Sequence, residues 1–380
     1  MKHLILLYFC YLLLSCHTDY AVSNNIKEIT GYDKIAIAKG EKLLLDSFYI
    51  VQLESKPKSF VGNVKKIDFI DNLAIVQSGN NLLAFNKKTG KFKCKYSNWG
   101  NAPSEYQNIT SFFIDKKEKK ICIIDEVKSR MIVFDTNGKF CHYQQFPETF
   151  FHLVQNISKI DGSRHFISKY ILEDKNIIYS ILDFKNVKEV PIYKLPLRTK
   201  GTCEFIGKNP YTFKDGAINC VLPFSEFVYT LNNRNLTPQF IIATKKPLVK
   251  KSQQGKIHDF NIGSYIQFMD KDYFVGFTDI FETATFMLLG FSNLQYFMVN
   301  KNTLHGISLN LQDGKNKVSG IPFVGIVGTD NDYLVGITEV SEILNWKSNN
   351  KKIRSNIANL DKQGNHCLLY YKLKEKERRY

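Results

Sequence analysis

The sequence predicts an all-β protein, a six-bladed β-propeller closed by N- and C-terminal strands. Three observations carry that expectation. Segments 67–92 and 112–140 align with each other turn for turn, and weaker copies continue to about residue 337, making six units. No sustained helical spacing of apolar residues occurs before residue 340. A strand-like stretch is left over at each end, at 42–53 and 367–373, and closing a ring of blades from both termini requires two such strands.

The two best units set the pattern. Residues 67–92 read IDFIDNLAIVQSGNNLLAFNKKTGKF and residues 112–140 read FFIDKKEKKICIIDEVKSRMIVFDTNGKF. Each alternates apolar strands with polar tips and ends in Asn86 or Asp135 followed by Thr-Gly-Lys-Phe or Asn-Gly-Lys-Phe. Phe85 to Phe134 spans 49 residues, while Gly90 to Gly138 and Phe92 to Phe140 each span 48. A period of about 40–50 residues made of several short strands is the signature of a blade. Asn137-Gly138 between apolar runs predicts a two-residue hairpin turn, whose central positions both favour positive φ.

Later units are looser: 157–196, 213–244, 264–299 and 303–337, the last two sharing Asp272–Gly276 and Asp332–Gly336 as matching D-Y-x-V-G runs. Short helices are expected at 340–346 and 353–360. Length alone also leaves room for seven blades.

The first residues carry an address. Met1-Lys2-His3 is a basic start, and residues 4–14, LILLYFCYLLL, are an uncharged apolar run too short to span a bilayer. Leu13-Leu14-Ser15-Cys16 resembles a bacterial lipobox, in which the Cys thiol is acylated and the preceding peptide removed. The expected organisation is therefore a signal peptide over 1–15, a lipidated tether over 16–40 attached through Cys16, and a propeller over 41–380. That implies a membrane partner through the lipid, and residence in a bacterial envelope with the facing side undecided.

The composition is that of a globular chain, with 380 residues, 44% hydrophobic and 23% charged, which excludes wholesale disorder. A formal charge of +16 favours anionic neighbours. The lysines, however, fall in short runs such as Lys116-Lys117 and Lys250-Lys251 that suit solvated hairpin tips, and no nucleic-acid motif accompanies them. No nucleic-acid partner is expected, and the protein is expected to be a monomer. Cys94, Cys122, Cys141, Cys203, Cys220 and Cys367 lack CxxC spacing and read as buried thiols; Cys203 with Cys220 is the first choice if a bridge exists.

Asn98-Trp99-Gly100-Asn101-Ala102-Pro103-Ser104-Glu105-Tyr106, followed by Phe113-Ile114-Asp115, resembles the G-x-G-P-G-E-Y stretch of the six-bladed β-propeller lipoprotein family of Bacteroides and relatives. Ala102 and Ser104 stand where that stretch has glycine. The runs Phe227–Leu231, Leu236–Phe240 and Asn365–Leu373 are similar to later parts of the same family. The resemblance implies the same fold and an envelope location, and it brings no general activity.

Chemistry leaves few marks. The eight His have no metal-ligand spacing, and neither a GxSxG elbow nor a phosphate-cradling glycine loop occurs. No catalytic residue, metal or cofactor is expected. Asp115, Asp125 and Asp135 recur every ten residues and read as turn residues. Trp99, Glu105 and Tyr106, on a connection between blades, are the candidate ligand-binding residues. Glu105 and Tyr106 also suit a purely structural role, as turn lock and inter-blade packing. The functional expectation is a non-catalytic binding or scaffold propeller for a glycan, peptide or protein partner. The alternative is a propeller-fold lyase or hydrolase acting on an envelope or dietary polymer, its acids gathered from different blades.

Overall fold

The computed structural model describes residues 26–33, 45–96, 98–172, 176–195, 202–203, 207–214, 216–242, 247–249, 273–291, 295–310, 317–318, 321–346 and 351–373. Residues 1–15, read above as a signal peptide, and Cys16 and Asp272 lie outside the described residues. Six four-stranded antiparallel blades form a ring, as the repeat predicted, and the seven-bladed alternative is excluded. The innermost strands, in blade order, are Val64–Ile70, Ser111–Asp115, Val154–Asp161, Tyr211–Lys214, Asp279–Glu282 and Ile326–Asp330. Together they surround a central channel.

Closure falls in blade 6. Its strands Ile326–Asp330, Tyr333–Glu339 and His366–Leu373 come from the C-terminal part of the chain, and its outer strand is Leu45–Gln52. Tyr49 pairs with Tyr370 across this seam and stacks on it at 4.4 Å between ring centroids. Such a pair adds to the apolar burial that joins the termini. The seam is tied to blade 1 as well: Lys87 Nζ donates to Asp330 at 2.8 Å, and the Tyr370 hydroxyl donates to the Lys87 carbonyl at 3.2 Å.

The repeat is written in turn chemistry. Asn86, Asp135, Asp183 and Asn300 end the third strand of blades 1, 2, 3 and 5, and each side-chain oxygen accepts backbone N–H groups two to four residues on. Short polar side chains serve there because they replace backbone acceptors within the turn. Asn137-Gly138 corrects one expectation. Only Gly138 takes a positive φ, of 85°, because the Asp135 carboxylate organises a longer loop from residue 136 to 139.

Helices α1 (Val340–Leu344) and α2 (Lys351–Ala358) connect the second and third strands of blade 6, with Val340, Ile343 and Ile353 buried against Leu369 and Tyr371. A further strand, Lys27–Asp33, falls within the stretch read as tether. It pairs in parallel with the outer strands of blades 4 and 5 (Asn235–Ile242 and His305–Asn310) and joins them into one nine-stranded sheet. Ile29 is its anchor, fully buried beside Val228 and Met287.

Cys94, Cys122, Cys141, Cys220 and Cys367 are free thiols; Cys122, Cys220 and Cys367 are buried as expected, whereas Cys94 is half-buried and Cys141 is exposed, on the outer strand of blade 2. The suggested Cys203–Cys220 bridge is therefore absent. Cys220 is buried among Phe166, Tyr179 and Tyr229, and burial pushes its thiol well up from the ordinary range. Among the described residues no helix is long and apolar enough to cross a membrane.

Candidate functional site

The connection from blade 1 to blade 2 brings Trp99, Glu105 and Tyr106 together. Trp99 and Tyr106 form a parallel bridge, with the Gly100 amide donating to the Tyr106 carbonyl at 2.9 Å. Glu105 turns its carboxylate back to accept the Ala102 amide at 2.9 Å. A Cβ at Gly100 would lie 2.0 Å from Glu105 Oε2, so a side chain there would push the carboxylate off the Ala102 amide. Ala102 and Ser104 keep ordinary negative φ, so the glycines they replace are not needed. Tyr106 is buried in the seam between blades 1 and 2, and its hydroxyl donates to the Asn80 carbonyl at 2.7 Å. Trp99 is 72% exposed.

Beneath this loop lies a knot that single-sequence reading missed. The buried Asp125 carboxylate accepts the Gln107 amide at 2.9 Å and the Asn108 amide at 3.3 Å. Arg130, also buried, brings its Nε to 3.7 Å from Asp125 and donates an N–H to the Glu105 carbonyl. Asn80 accepts the Ile109 amide at 2.6 Å from the neighbouring blade. The ten-residue Asp spacing marked the residue, but nothing local marked its partners.

Neither channel cavity is lined by Trp99, Glu105 or Tyr106. One cavity, of about 630 Å³, opens between the lower ends of the inner strands, lined by Asp68, Asp115, Lys159 and Asp161 among others. The other, of about 1180 Å³, opens where the inter-blade connections enter, lined by Phe60, Asp279, Glu339 and His366 among others. Lys66 and Asn209 line both and so form the throat between them.

Several charged groups in the channel are held by partners. Lys159 Nζ makes an ion pair with Asp115, which also accepts the Glu118 amide at 3.1 Å. Burial pushes the Asp115 carboxyl up, but Lys159 and the loop amides outweigh it and leave it below the usual carboxylate range. Asp161 pairs with Arg164. Asp279 accepts the Asn209 amide at 2.7 Å and the Thr278 hydroxyl at 2.9 Å, yet burial still raises its carboxyl. His366 is lowered by burial, against the pull of Glu339. Lys66 differs. Its ammonium donates to the Phe112 carbonyl at 2.8 Å and lies 5.1 Å from the Phe112 ring, with no ion pair among the described residues. Burial lowers it to about 8, against the pull of Asp68. Among the described residues, no three His, Cys, Asp or Glu side chains gather as a metal site.

Fold and channel together define a class: six-bladed propellers with a polar, charge-lined central channel. The chain belongs to the family described as Domain of unknown function (DUF4934), matched over residues 31–372. A protein of Bacteroides fragilis NCTC 9343 classed as exported is similar in structure, with a TM-score of 0.69 and 17% identity, covering 92% of this chain and 100% of its own. A DUF4221 family member from Bacteroides vulgatus ATCC 8482 has a TM-score of 0.54 and 10% identity, covering 87% of this chain and 97% of its own. At these identities the likeness establishes fold. No curated protein matches the sequence.

Proposed function

We propose that this chain is an exported, lipid-anchored binding propeller that takes a polar ligand, a glycan or peptide, into its central channel. The observation that carries the reading is the channel itself. Its two cavities lie in or above the size range of ligand pockets, and they are lined by charges, several of which are fixed by one another or by backbone amides. Paired charges of that kind orient a ligand at little reorganisation cost, whereas catalysis needs a nucleophile or acid with a base in reach. Trp99, on a connection of the same face as the wider mouth, offers an aromatic surface for a sugar ring. Export is supported by the apolar leader and by the description of the Bacteroides fragilis relative. Anchoring rests on the Leu13–Cys16 motif: Cys16→Ala is expected to abolish membrane partitioning of the processed protein, and unchanged partitioning would refute lipidation.

The test of binding is a calorimetric screen of the full-length protein in mild detergent against neutral glycans, acidic glycans and peptides, with product analysis of every ligand found. Binding without turnover is expected. Turnover abolished by a single substitution of a channel acid would replace the binding reading with an enzymatic one.

A further inference from the structure

We propose that the throat of the channel is an anion seat, in which the Lys66 ammonium holds a carboxylate or phosphate group of the ligand. This rests on the binding reading and adds the chemistry of one ligand group to it. Lys66 sits on the inner strand of blade 1, between Val64 and Ile67, and lines the cavities on both sides of the throat. An ammonium has three donors, and among the described residues the Phe112 carbonyl is the one acceptor it meets. The ring face of Phe112 covers it from one side.

The other channel cations are differently placed. Lys159 is tied to Asp115. Lys65, Lys116, Lys117, Lys208 and Lys362 are exposed at the mouths, where water screens them and an ion pair is worth about 1 kcal/mol or less. The acid nearest Lys66 in sequence, Asp68, affects it through space without making an ion pair, and its Oδ1 accepts the Phe69 amide at 2.7 Å. Lys66 is thus a half-buried charge with vacant donors, set where a ligand entering from either mouth must pass. Burial already disfavours its charged form, and a bound anion reverses that penalty by supplying both countercharge and acceptors.

The test titrates the full-length protein in mild detergent with inorganic phosphate, glucuronate and, as neutral control, glucose. Wild type is expected to bind phosphate or glucuronate, and whichever binds identifies phosphate or carboxylate as the recognised group. Lys66→Met should weaken that binding at least about tenfold, as removal of one partner from a desolvated charge pair does. Lys66→Arg should retain most of it, and the rim variant Lys117→Met should match wild type. Lys66→Met should melt no lower than wild type in anion-free buffer, which verifies that it folds. Anion binding that is equal in Lys66→Met, or absent from wild type, overturns the proposal. Neutral-glycan or peptide binding indifferent to Lys66 overturns the anion seat and leaves the binding reading intact. Ligand turnover that still requires Lys66 overturns the binding reading and leaves the seat.

Discussion

Replacing Asp125 by alanine should cost this propeller about 4 kcal/mol. The carboxylate is fully buried and accepts three amides, Gln107 N at 2.9 Å, Asn108 N at 3.3 Å and, within its own turn, Lys128 N at 3.4 Å. A hydrogen bond to a charged group contributes roughly 1.5–3 kcal/mol, so the two that bind the inter-blade connection alone reach about 4 kcal/mol. Arg130 is left buried without its countercharge, and breaking such a pair costs about 3–5 kcal/mol, a figure that overlaps the first rather than adding to it. Asn preserves the shape but brings an NH₂ group against at least one of these amides, so Asp125→Asn should recover about half of the loss. The assay is urea unfolding followed by tyrosine and tryptophan fluorescence, in a double-mutant cycle with Arg130→Met. A coupling energy above about 1 kcal/mol is expected for two groups in one network. A loss below about 1 kcal/mol for Asp125→Ala, or additive single and double variants, would refute the claim that this knot locks blade 1 to blade 2.

Three further outcomes follow from the same structure. Tyr106→Phe should cost about 1 kcal/mol in urea unfolding, since it removes the bond that the hydroxyl makes at 2.7 Å to the half-buried Asn80 carbonyl; no change would show that this bond is dispensable. His165 lies stacked on Phe184 at 3.8 Å, and burial lowers it from 6.5 to about 4. An unfolded histidine gains its proton below 6.5 while the folded one stays neutral, so stability should fall progressively between pH 6.5 and about 4, by about 3 kcal/mol in all. His165→Phe should remove that part of the acid sensitivity, and an unaltered pH profile would contradict the assignment. Adding a reductant should leave the melting temperature unchanged, because Cys94, Cys122, Cys141, Cys220 and Cys367 are free; a fall of several degrees would reveal a bridge.

What the sequence makes legible is what each blade repeats. The Asn86 and Asp135 turns lie 49 residues apart, and they carry the fold because each blade needs the same acceptor at the same place. The closing strands were legible for a similar reason, as strands left without partners. The rim strand Lys27–Asp33 was not. Its sequence KEITGYD is mostly polar around the buried anchor Ile29, and its partners lie more than 200 residues away. Glu105 and Tyr106 stood out through the resemblance of their stretch, and they lie in an inter-blade lock rather than on the channel wall. Lys66 gave no local signal, since its meaning depends on Phe112, 46 residues further on, and on a throat built by six separate strands. A channel site has no single spacing to read because its residues come from separate blades far apart in the chain.

The central claim is that ligand enters the channel, and blocking the channel tests it most directly. Thr212 and Thr329 line the narrower cavity from blades 4 and 6 and do not belong to the inter-blade lock. Calorimetry of the tightest ligand from the screen should be repeated on the Thr212→Trp/Thr329→Trp variant, after its melting temperature has verified folding. The account predicts that binding falls at least about tenfold, since two indole rings would take up much of a cavity of about 630 Å³. Undiminished affinity in a folded protein with this cavity filled would contradict passage through the channel and move the binding surface to the wider mouth and the connection that carries Trp99 on the same face.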